Sequence, residues 1–171
     1  MLSRVDLGLG SNLGNRLDNL ILGMQSINKF ARRLMVSSIY ETTPVGFDLQ
    51  PRYLNAVCTC WVSCDQFELL NRLQMIEFEL ERRRVFVNGP RTLDIDILLF
   101  GDLIIKSPIL QIPHPRMGQR GFVLTPLTDV APNRVHPLNN LPINQMLKDL
   151  CPKDIVVVHR DARTVRSLLK S

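Results

Sequence analysis

Two aspartates in one short apolar segment are the residues of this sequence best placed to do chemistry. Asp94 and Asp96 lie two apart in RTLDIDILLF, residues 91–100. A β-strand points alternate side chains to opposite faces, so both carboxylates share one face, with backbone positions about 7 Å apart. They could therefore hold one cation or a close pair, and an all-oxygen ligand set favours Mg²⁺, which takes further oxygens from nucleotide phosphates. The alternative is an exposed strand face on which two like charges repel.

Basic side chains lie on both sides of this strand in the sequence. Arginine forks bind phosphate groups bidentately, so several of these residues together are expected to meet a polyphosphate. The set comprises Arg82, Arg84, Arg91, His114, Arg116 and Arg120. Any one of them alone is more typical of a solvated surface residue.

A second group of residues suits a flat heterocycle. Tyr53 and Asn55 share one face of a predicted strand, and Phe122 follows in the basic segment. Aromatic faces offer stacking and an amide offers an edge partner, although ordinary protein cores contain the same residues. Gln74 and Glu77, three apart on a predicted helix, are likewise compatible with a polar helix margin.

The glycine-rich segment 8–14, GLGSNLG, does not match a common nucleotide-binding loop. Its last glycine comes one position too late for G-x-G-x-x-G, and the chain has no G-x-x-x-x-G-K-[ST]. The segment is therefore interpreted as a strand-to-helix turn that needs a permissive backbone.

The elements that must position these residues follow from hydrophobic periodicity and turn signals. The predicted order is a strand at 5–9, a helix from Asn15 to about Ala31, strands at 35–42 and 53–62, a helix at 66–84 capped by Asp65, and a strand at 92–100. We expect the second helix to bury Phe67, Leu70, Leu73, Ile76 and Leu80. The order β-α-β-β-α-β predicts an α+β, ferredoxin-like domain: a four-stranded antiparallel sheet with two helices on one face.

The remaining residues predict C-terminal additions to this sheet. They comprise a stiff loop at 107–117, helices at 118–129 and 142–150, and an edge strand at 155–159. We expect one domain over 1–171, since 171 residues with 45% hydrophobic and 22% charged composition can form a core without metal or disulfide staples. A bound metal would therefore serve function.

Charge, cysteines and the first residues restrict the class of protein further. The net charge of +5 is compatible with nucleic acid, an anionic membrane or phosphorylated small molecules as partners. The opening MLSRVDLGLG does not resemble a signal peptide, so a cytoplasmic location is expected. The spacing of Cys58, Cys60, Cys64 and Cys151 matches no familiar zinc site, and reduced, mostly buried thiols are expected.

Six segments, in their order and spacing, resemble the 6-hydroxymethyl-7,8-dihydropterin pyrophosphokinases, enzymes of the folate pathway. They are GSNLGNR, YETTPVG, QPRYLNAV, LLNRLQMIE, GPRTLDIDILLFG and IPHPRMGQRGFVLTPL. The resemblance covers about residues 5–133 and leaves about 134–171 as a C-terminal extension.

This resemblance implies transfer of the β,γ-pyrophosphoryl group of ATP to the pterin hydroxymethyl group, with release of AMP. It implies two Mg²⁺ ions held by Asp94 and Asp96, and it implies that Arg82 and Arg91 act as catalytic residues on the transferring phosphates. The implied pterin site comprises Thr42, the Val45 backbone, Tyr53, Asn55 and Phe122. The implied ATP site comprises Leu70, Gln74, Glu77, Arg84, Ile97, His114 and Arg120.

The chain departs from the family pattern at three positions. Asn88 stands where members can have Trp, in a loop one residue shorter; Ile109 replaces a basic residue, and Pro115 replaces Tyr. The tail at 159–170 lies outside the resemblance. It is compatible with a terminal helix, an oligomer contact or a junction to another folate enzyme, because family members are sometimes fused.

Two other classes of protein are compatible with part of these features. A ferredoxin-like RNA-binding module should carry exposed aromatics on its central strands and has no use for Asp-x-Asp, so neither nucleic acid nor a membrane is expected as a partner. A regulatory domain that binds a small ligand without chemistry remains the alternative. Magnesium-dependent consumption of ATP in the presence of the pterin would separate it from an enzyme.

Overall fold

The computed structural model describes residues 1–43, 51–80, 91–150 and 156–170. In chain order, its elements are β1 (Ser3–Ser11), α1 (Arg16–Asn28), β2 (Arg32–Val36), β3 (Ile39–Thr42), β4 (Tyr53–Val62), α2 (Gln66–Glu79), β5 (Asp94–Phe100), β6 (Ile105–Lys106), β7 (Gln111–Ile112), a 3₁₀ turn (Met117–Gln119), α3 (Gly121–Val130), α4 (Ile143–Asp149), β8 (Val156–Arg160) and α5 (Ala162–Leu168). No helix in these ranges is both long enough and apolar enough to cross a membrane.

The main sheet is antiparallel and has the strand order β5-β1-β4-β3-β8, with β2 pairing to a further part of β4. Without β8, this is the sheet of a ferredoxin-like domain, and the predicted α+β class is confirmed. The predicted C-terminal edge strand is confirmed as β8. The order leaves β5, which carries the two aspartates, at the opposite edge of the sheet.

Both predicted helix caps are confirmed. The Asn15 side chain accepts a hydrogen bond from the backbone N–H of Asp18, and the Asp65 side chain accepts from the N–H groups of Phe67 and Glu68 at 2.8 and 2.9 Å. The first N–H groups of a helix have no partner within it, so a side-chain oxygen at this position fixes where the helix begins.

The single strand predicted at 35–42 is wrong, because the chain breaks it into β2 and β3 at Ser37 and Ser38. The N–H of Ser38 donates to the Asp129 carboxylate at 3.0 Å instead of to a neighbouring strand. The side-chain oxygen of Ser37 accepts a hydrogen bond from the backbone N–H of Val57 at 2.9 Å. At the break, Ser37 keeps one backbone bond, from its N–H to the Val57 carbonyl oxygen at 2.9 Å, while side chains serve the N–H groups of Ser38 and Val57. The loop predicted at 107–117 also contains a strand, β7, which pairs with β6.

The buried face predicted for α2 is partly wrong. The helix buries Leu69, Leu73, Ile76 and Glu77, whereas Phe67 is 39% exposed. Leu70 and Leu80 are half-buried. The first four members of the predicted set, Phe67 to Ile76, are spaced three apart, and such a series rotates around a helix of 3.6 residues per turn and cannot stay on one face. The proposed continuation of the helix through 81–84 lies outside the described residues.

Two hydrophobic clusters lie on opposite faces of the sheet. Helices α1 and α2 cover one face, where their apolar side chains pack on Leu7, Leu9, Ile95 and neighbouring residues. Helices α3 and α4 cover the other face, over Val57, Leu98 and Leu99. The two helices predicted on one face are therefore joined by C-terminal helices on the second, which is the face that carries Asp94 and Asp96.

The C-terminal extension is tied to the sheet by charge as well as by β8. Arg134 lies with its Nε 3.6 Å from the buried carboxylate of Asp6 and its Nη1 2.8 Å from Asp102. Thr59 donates a further hydrogen bond to Asp6 at 2.6 Å. Because Asp6 is fully buried, these partners offset the cost of removing its charge from water.

Candidate active site

A pocket opens on the α3 side of the sheet, across the ends of β5, β1 and β4. It brings together residues from both predicted groups, the charged and the aromatic: Thr42, Tyr53, Asn55, Arg91, Asp94, Asp96, Arg120 and Phe122. Residues far apart in the sequence meet here because β1 lies between β5 and β4. The pocket is therefore a product of strand order.

The floor of the pocket is formed by two glycines of β1 that the sequence interpretation assigned to a turn. Gly10 pairs with Asp94 on one side and Asn55 on the other. Gly8 pairs with Asp96 on the first side and with Val57 on the second. A Cβ at Gly10 would lie only 3.0 Å from Oδ1 of Asn55. The missing side chains leave open the space between the carboxylates and Asn55. The sequence contained an indication of this arrangement, because Gly8 and Gly10 have the same two-residue spacing as Asp94 and Asp96.

The permissive backbone inferred for this segment is found at Gly14 alone among its three glycines. Gly14 has a φ of +66°, which L-residues with a side chain rarely adopt, and it lies in the turn before α1. The other two glycines of the segment are needed for space and not for conformation.

The carboxylate end of the pocket contains opposed charges. Nη1 of Arg91 lies 3.0 Å from Oδ2 of Asp94, and Nε2 of His114 lies 3.9 Å from Oδ2 of Asp96. Partial loss of water raises the pKa of the Asp96 carboxyl above its usual range, and the neighbouring Asp94 charge raises it further. A hard cation between the two would relieve this repulsion, so the donor set fits Mg²⁺. Within residues 1–43, 51–80, 91–150 and 156–170, no group of three or more His, Cys, Asp or Glu could hold a metal.

Several arginine side chains line the pocket together with the two carboxylates. Arg116, one of the basic residues expected from the sequence to meet a polyphosphate, lines the pocket with Arg91 and Arg120. Burial lowers the pKa of His114 below its usual range, and the charges of Arg120 and Arg116 add to this against the opposing effect of Asp96. Such crowding favours an anionic ligand. The backbone N–H of Arg116 donates to the Nδ1 atom of His114 at 3.2 Å, which links these two residues of the pocket wall.

The heterocycle end of the pocket combines two aromatic rings with a buried polar pair. Nδ2 of Asn55 donates to Oγ1 of Thr42 at 2.7 Å, and both residues are buried. The Tyr53 ring comes from β4 and the Phe122 ring from the first turn of α3. The Arg91 guanidinium lies 5.7 Å from the Tyr53 ring centroid, a distance typical of cation–π contacts. This end therefore adjoins the arginines of the pocket.

A hydrogen bond between buried Tyr40 and exposed Asp129 fixes the far end of α3. The hydroxyl of Tyr40 donates to the carboxylate of Asp129 at 2.9 Å, and burial, followed by Asp129 itself, raises the pKa of Tyr40 to about 12. The helix that carries Phe122 is thus anchored to β3. The sequence offered no signal for this pair, which joins residues 89 positions apart.

Four residues of the implied ATP site lie away from the pocket, on the α2 side of the sheet. Ile97 is buried in the core under α1 and α2, Leu70 is half-buried against that core, and Gln74 is exposed. Glu77 is buried and accepts a hydrogen bond from the N–H of Ile95 at 2.7 Å. Their proposed contacts with ATP stay predictions. Val45, Arg82, Arg84 and Asn88 lie outside the described residues, and Ile109 and Pro115 are exposed.

The fold and the pocket together define a class of protein: a ferredoxin-like α+β domain whose pocket combines a carboxylate pair, a group of cationic side chains and two aromatic rings. Comparison with known proteins identifies the family. Residues 6–132 match the family model described as 7,8-dihydro-6-hydroxymethylpterin-pyrophosphokinase (HPPK). The chain therefore belongs to this family, whose members are ATP-dependent diphosphotransferases.

Individual relatives agree with this assignment. A 2-amino-4-hydroxy-6-hydroxymethyldihydropteridine pyrophosphokinase of Aquifex aeolicus is 35% identical over 155 residues, which cover 88% of this chain and 97% of the relative. The folic acid synthesis protein fol1 of Pneumocystis carinii is 41% identical over 152 residues, but these span 88% of this chain and only 20% of that longer protein. A crystal structure of Plasmodium falciparum HPPK-DHPS shares the fold, with a TM-score of 0.70 at 15% identity, over 86% of this chain and 45% of that one.

Proposed function

We propose that the pocket transfers the β,γ-pyrophosphoryl group of ATP to the hydroxymethyl group of 6-hydroxymethyl-7,8-dihydropterin, giving the pterin diphosphate and AMP in folate synthesis. One observation carries the proposal: a carboxylate pair, a group of arginines and an aromatic end with a buried amide lie in a single pocket. Each part matches one part of the two substrates. The family assignment supports the same reaction.

The pterin is proposed to occupy the heterocycle end. Tyr53 and Phe122 would stack on the two faces of its ring, while Asn55 and Thr42 would bind its polar edge. Because these two polar side chains are buried and already hydrogen-bonded to each other, their orientation is set before the substrate arrives. The Val45 backbone is proposed as a further contact.

Asp94 and Asp96 are proposed to hold two Mg²⁺ ions. When bound, Mg²⁺ neutralises phosphate charge and aligns the reacting groups. The two carboxylates are supported in this role by their shared strand face and by the neighbouring Asp94 charge, which together with burial raises the pKa of the Asp96 carboxyl.

The arginines are proposed to act on the phosphates. Arg91 and Arg120, together with Arg82 and Arg84, would neutralise the charge that develops between the attacking and leaving oxygens. Such a transfer needs no protein nucleophile, so the main work of the chain is to orient the pterin hydroxyl towards the β-phosphorus. His114, beside Asp96, would help to bind the nucleotide.

The adenosine part of ATP is proposed to lie across the edge of the sheet. β5 is an edge strand, with Asp94 and Asp96 on one face and α2 packed against the other. A nucleotide that crosses this edge could reach from the carboxylates towards Leu70, Gln74, Glu77 and Ile97. This path accounts for an implied ATP site that is divided between the two faces.

The partners proposed for the chain are small molecules, together with other folate-pathway enzymes. The longer relatives named for folic acid synthesis and HPPK-DHPS motivate the second suggestion. The cytoplasm is the proposed location.

The test is a product assay by phosphorus NMR. The purified protein with ATP, Mg²⁺ and 6-hydroxymethyl-7,8-dihydropterin should form AMP and the pterin diphosphate in equal amounts, and should form neither when Mg²⁺ is chelated. Formation of ADP would indicate an ordinary kinase. Binding of both substrates without turnover would indicate the regulatory domain considered above.

A further inference from the structure

Asn12, in the glycine-rich segment after β1, forms hydrogen bonds with both the backbone N–H and the carbonyl oxygen of Arg91. The N–H of Asn12 donates to the carbonyl oxygen of Arg91 at 3.2 Å, and its side-chain Oδ1 accepts from the Arg91 N–H at 2.9 Å. Asn12 is 1% exposed, so both bonds are shielded from water. Arg91 thus has its two backbone polar groups bound by one residue of a different element.

The same side chain also contacts the chain just before β4. Nδ2 of Asn12 donates to the carbonyl oxygen of Pro51 at 3.4 Å. Tyr53, two residues later, begins β4 and contributes its ring to the pocket. One planar amide therefore joins the backbone at Arg91 to the backbone at Pro51, using its acceptor for one and its donor for the other.

This attachment matters because Arg91 lies outside regular secondary structure. No helix or strand fixes the start of its side chain. Its guanidinium contacts Asp94 and the Tyr53 ring, while its buried Nε has no hydrogen-bond partner in the part of the chain that the structure describes. The two backbone bonds to Asn12 therefore supply much of the restraint on where the guanidinium lies.

We propose that Asn12 is a positioning residue that presents the Arg91 guanidinium to the phosphates of ATP. The proposal rests on the proposed function, in which Arg91 acts on those phosphates.

Three variants test the role. Asn12→Ala removes both side-chain bonds, and Asn12→Asp keeps the acceptor for the Arg91 N–H but loses the donor to Pro51. Asn19→Ala is the matched control, because Asn19 bonds Ser11 and Leu13 in the same connection without contacting Arg91 or Pro51. Circular dichroism and thermal unfolding establish that each variant is folded.

The single-turnover rate at saturating ATP is the first readout. A misplacement of about 1 Å can cost about 10²-fold in rate, so we expect Asn12→Ala to lose at least about 10-fold, Asn12→Asp to recover most of it, and Asn19→Ala to stay close to wild type. In an Arg91→Ala background, Asn12→Ala should add little further loss, because it acts through the residue already removed. Equal losses in both backgrounds, or a lower melting temperature with an unchanged rate, would overturn the proposal.

The second readout does not need turnover. The Nε–H signal of Arg91 in a nitrogen-15 NMR spectrum, assigned by its loss in Arg91→Ala, should shift when a non-hydrolysable ATP analogue and Mg²⁺ are added to wild type or Asn12→Asp. It should not shift in the same way in Asn12→Ala. The same shift in all three proteins would refute positioning by Asn12, whereas an absence of turnover in wild type would refute the proposed function.

Discussion

Nη1 of Arg91 lies 3.0 Å from Oδ2 of Asp94, and the two side chains are each less than one fifth exposed. One residue proposed to act on phosphate is thus paired with one proposed to hold Mg²⁺. If metal and ATP bind at this end, the carboxylate and the guanidinium each gain a new partner of opposite charge. The ion pair therefore keeps both charges satisfied until the substrates replace it.

We expect Arg91→Ala to affect the chemical step more than ATP binding. The triphosphate already carries its charge in the ground state, so an arginine that only held ATP would change affinity and leave the rate alone. The single-turnover rate should fall by about 10²-fold or more, as for other arginines of phosphoryl transfer, with a much smaller change in the Kd for ATP. Quench-flow and titration calorimetry with a non-hydrolysable analogue measure the two quantities, and Arg82→Ala is predicted to behave in the same way.

The control for this prediction is Arg163→Ala, an exposed arginine of α5, which should leave both quantities unchanged. A loss of ATP affinity in proportion to the loss of rate would mean that Arg91 and Arg82 bind the ground state only.

We expect Asp94→Asn and Asp96→Asn to keep the fold and lose activity. Each substitution removes one of the two charges proposed to bind metal, which should slow turnover by at least ~10²-fold, equivalent to about 2.7 kcal/mol of transition-state stabilisation. Magnesium titrations of the rate, with circular dichroism as the check on folding, make the comparison. Asp149→Asn, on the exposed end of α4, is the control. Near-normal turnover of either variant in excess Mg²⁺ would show that the carboxylate pair is structural.

We expect Gly10→Ala to weaken pterin binding more than Gly8→Ala does. A Cβ at Gly10 meets Oδ1 of Asn55 at 3.0 Å, and Asn55 is held in place by Thr42, whereas a Cβ at Gly8 meets the end of the Leu98 side chain at 3.4 Å. Overpacking of this kind costs about 1–3 kcal/mol, so the pterin Kd should rise by roughly 10-fold or more in Gly10→Ala. Equal pterin Kd values for the two variants, measured by calorimetry, would contradict a pocket floor made by Gly10.

We expect Glu77→Ala to destabilise the protein and Glu77→Gln to do so much less. The buried Glu77 carboxylate accepts from the N–H of Ile95, between the two aspartates of β5, and alanine would leave that donor unsatisfied at a cost of about 1–3 kcal/mol. Glutamine keeps an oxygen acceptor. Denaturant unfolding measures the difference, with Glu68→Ala as control because that residue is half exposed and forms a surface ion pair with Arg72, worth about 0–1 kcal/mol.

An equal loss of stability in Glu68→Ala and Glu77→Ala would contradict this role. The ATP affinity of Glu77→Gln is a separate test: an unchanged Kd would contradict the prediction that Glu77 also belongs to the ATP site.

Local rules predicted the elements and one feature of the site. The shared face of Asp94 and Asp96 depends only on the two-residue period of a strand, and the caps at Asn15 and Asp65 depend only on unpaired helix N–H groups. Such features need no knowledge of distant residues. They were predicted because their cause lies within a few positions of the sequence.

Features with a distant cause were missed. The break at Ser38 needs Asp129, 91 positions away, and the meaning of Gly8 and Gly10 depends on β1 lying between β5 and β4. The elements against which α2 packs decide which of its faces is buried, so Phe67 is exposed and Leu69 is buried. Strand order and packing decide these points, and neither can be read from a local pattern.

The central claim, that this pocket moves the β and γ phosphates of ATP together to a pterin, is tested most directly by the fate of a label on the β-phosphorus. With ATP labelled at that atom, the wild-type protein and Asp149→Asn should place the label in the pterin product, and Asp96→Asn should place almost none there. Label that stays in ADP while the γ-phosphate moves, or full transfer by Asp96→Asn, would contradict the account.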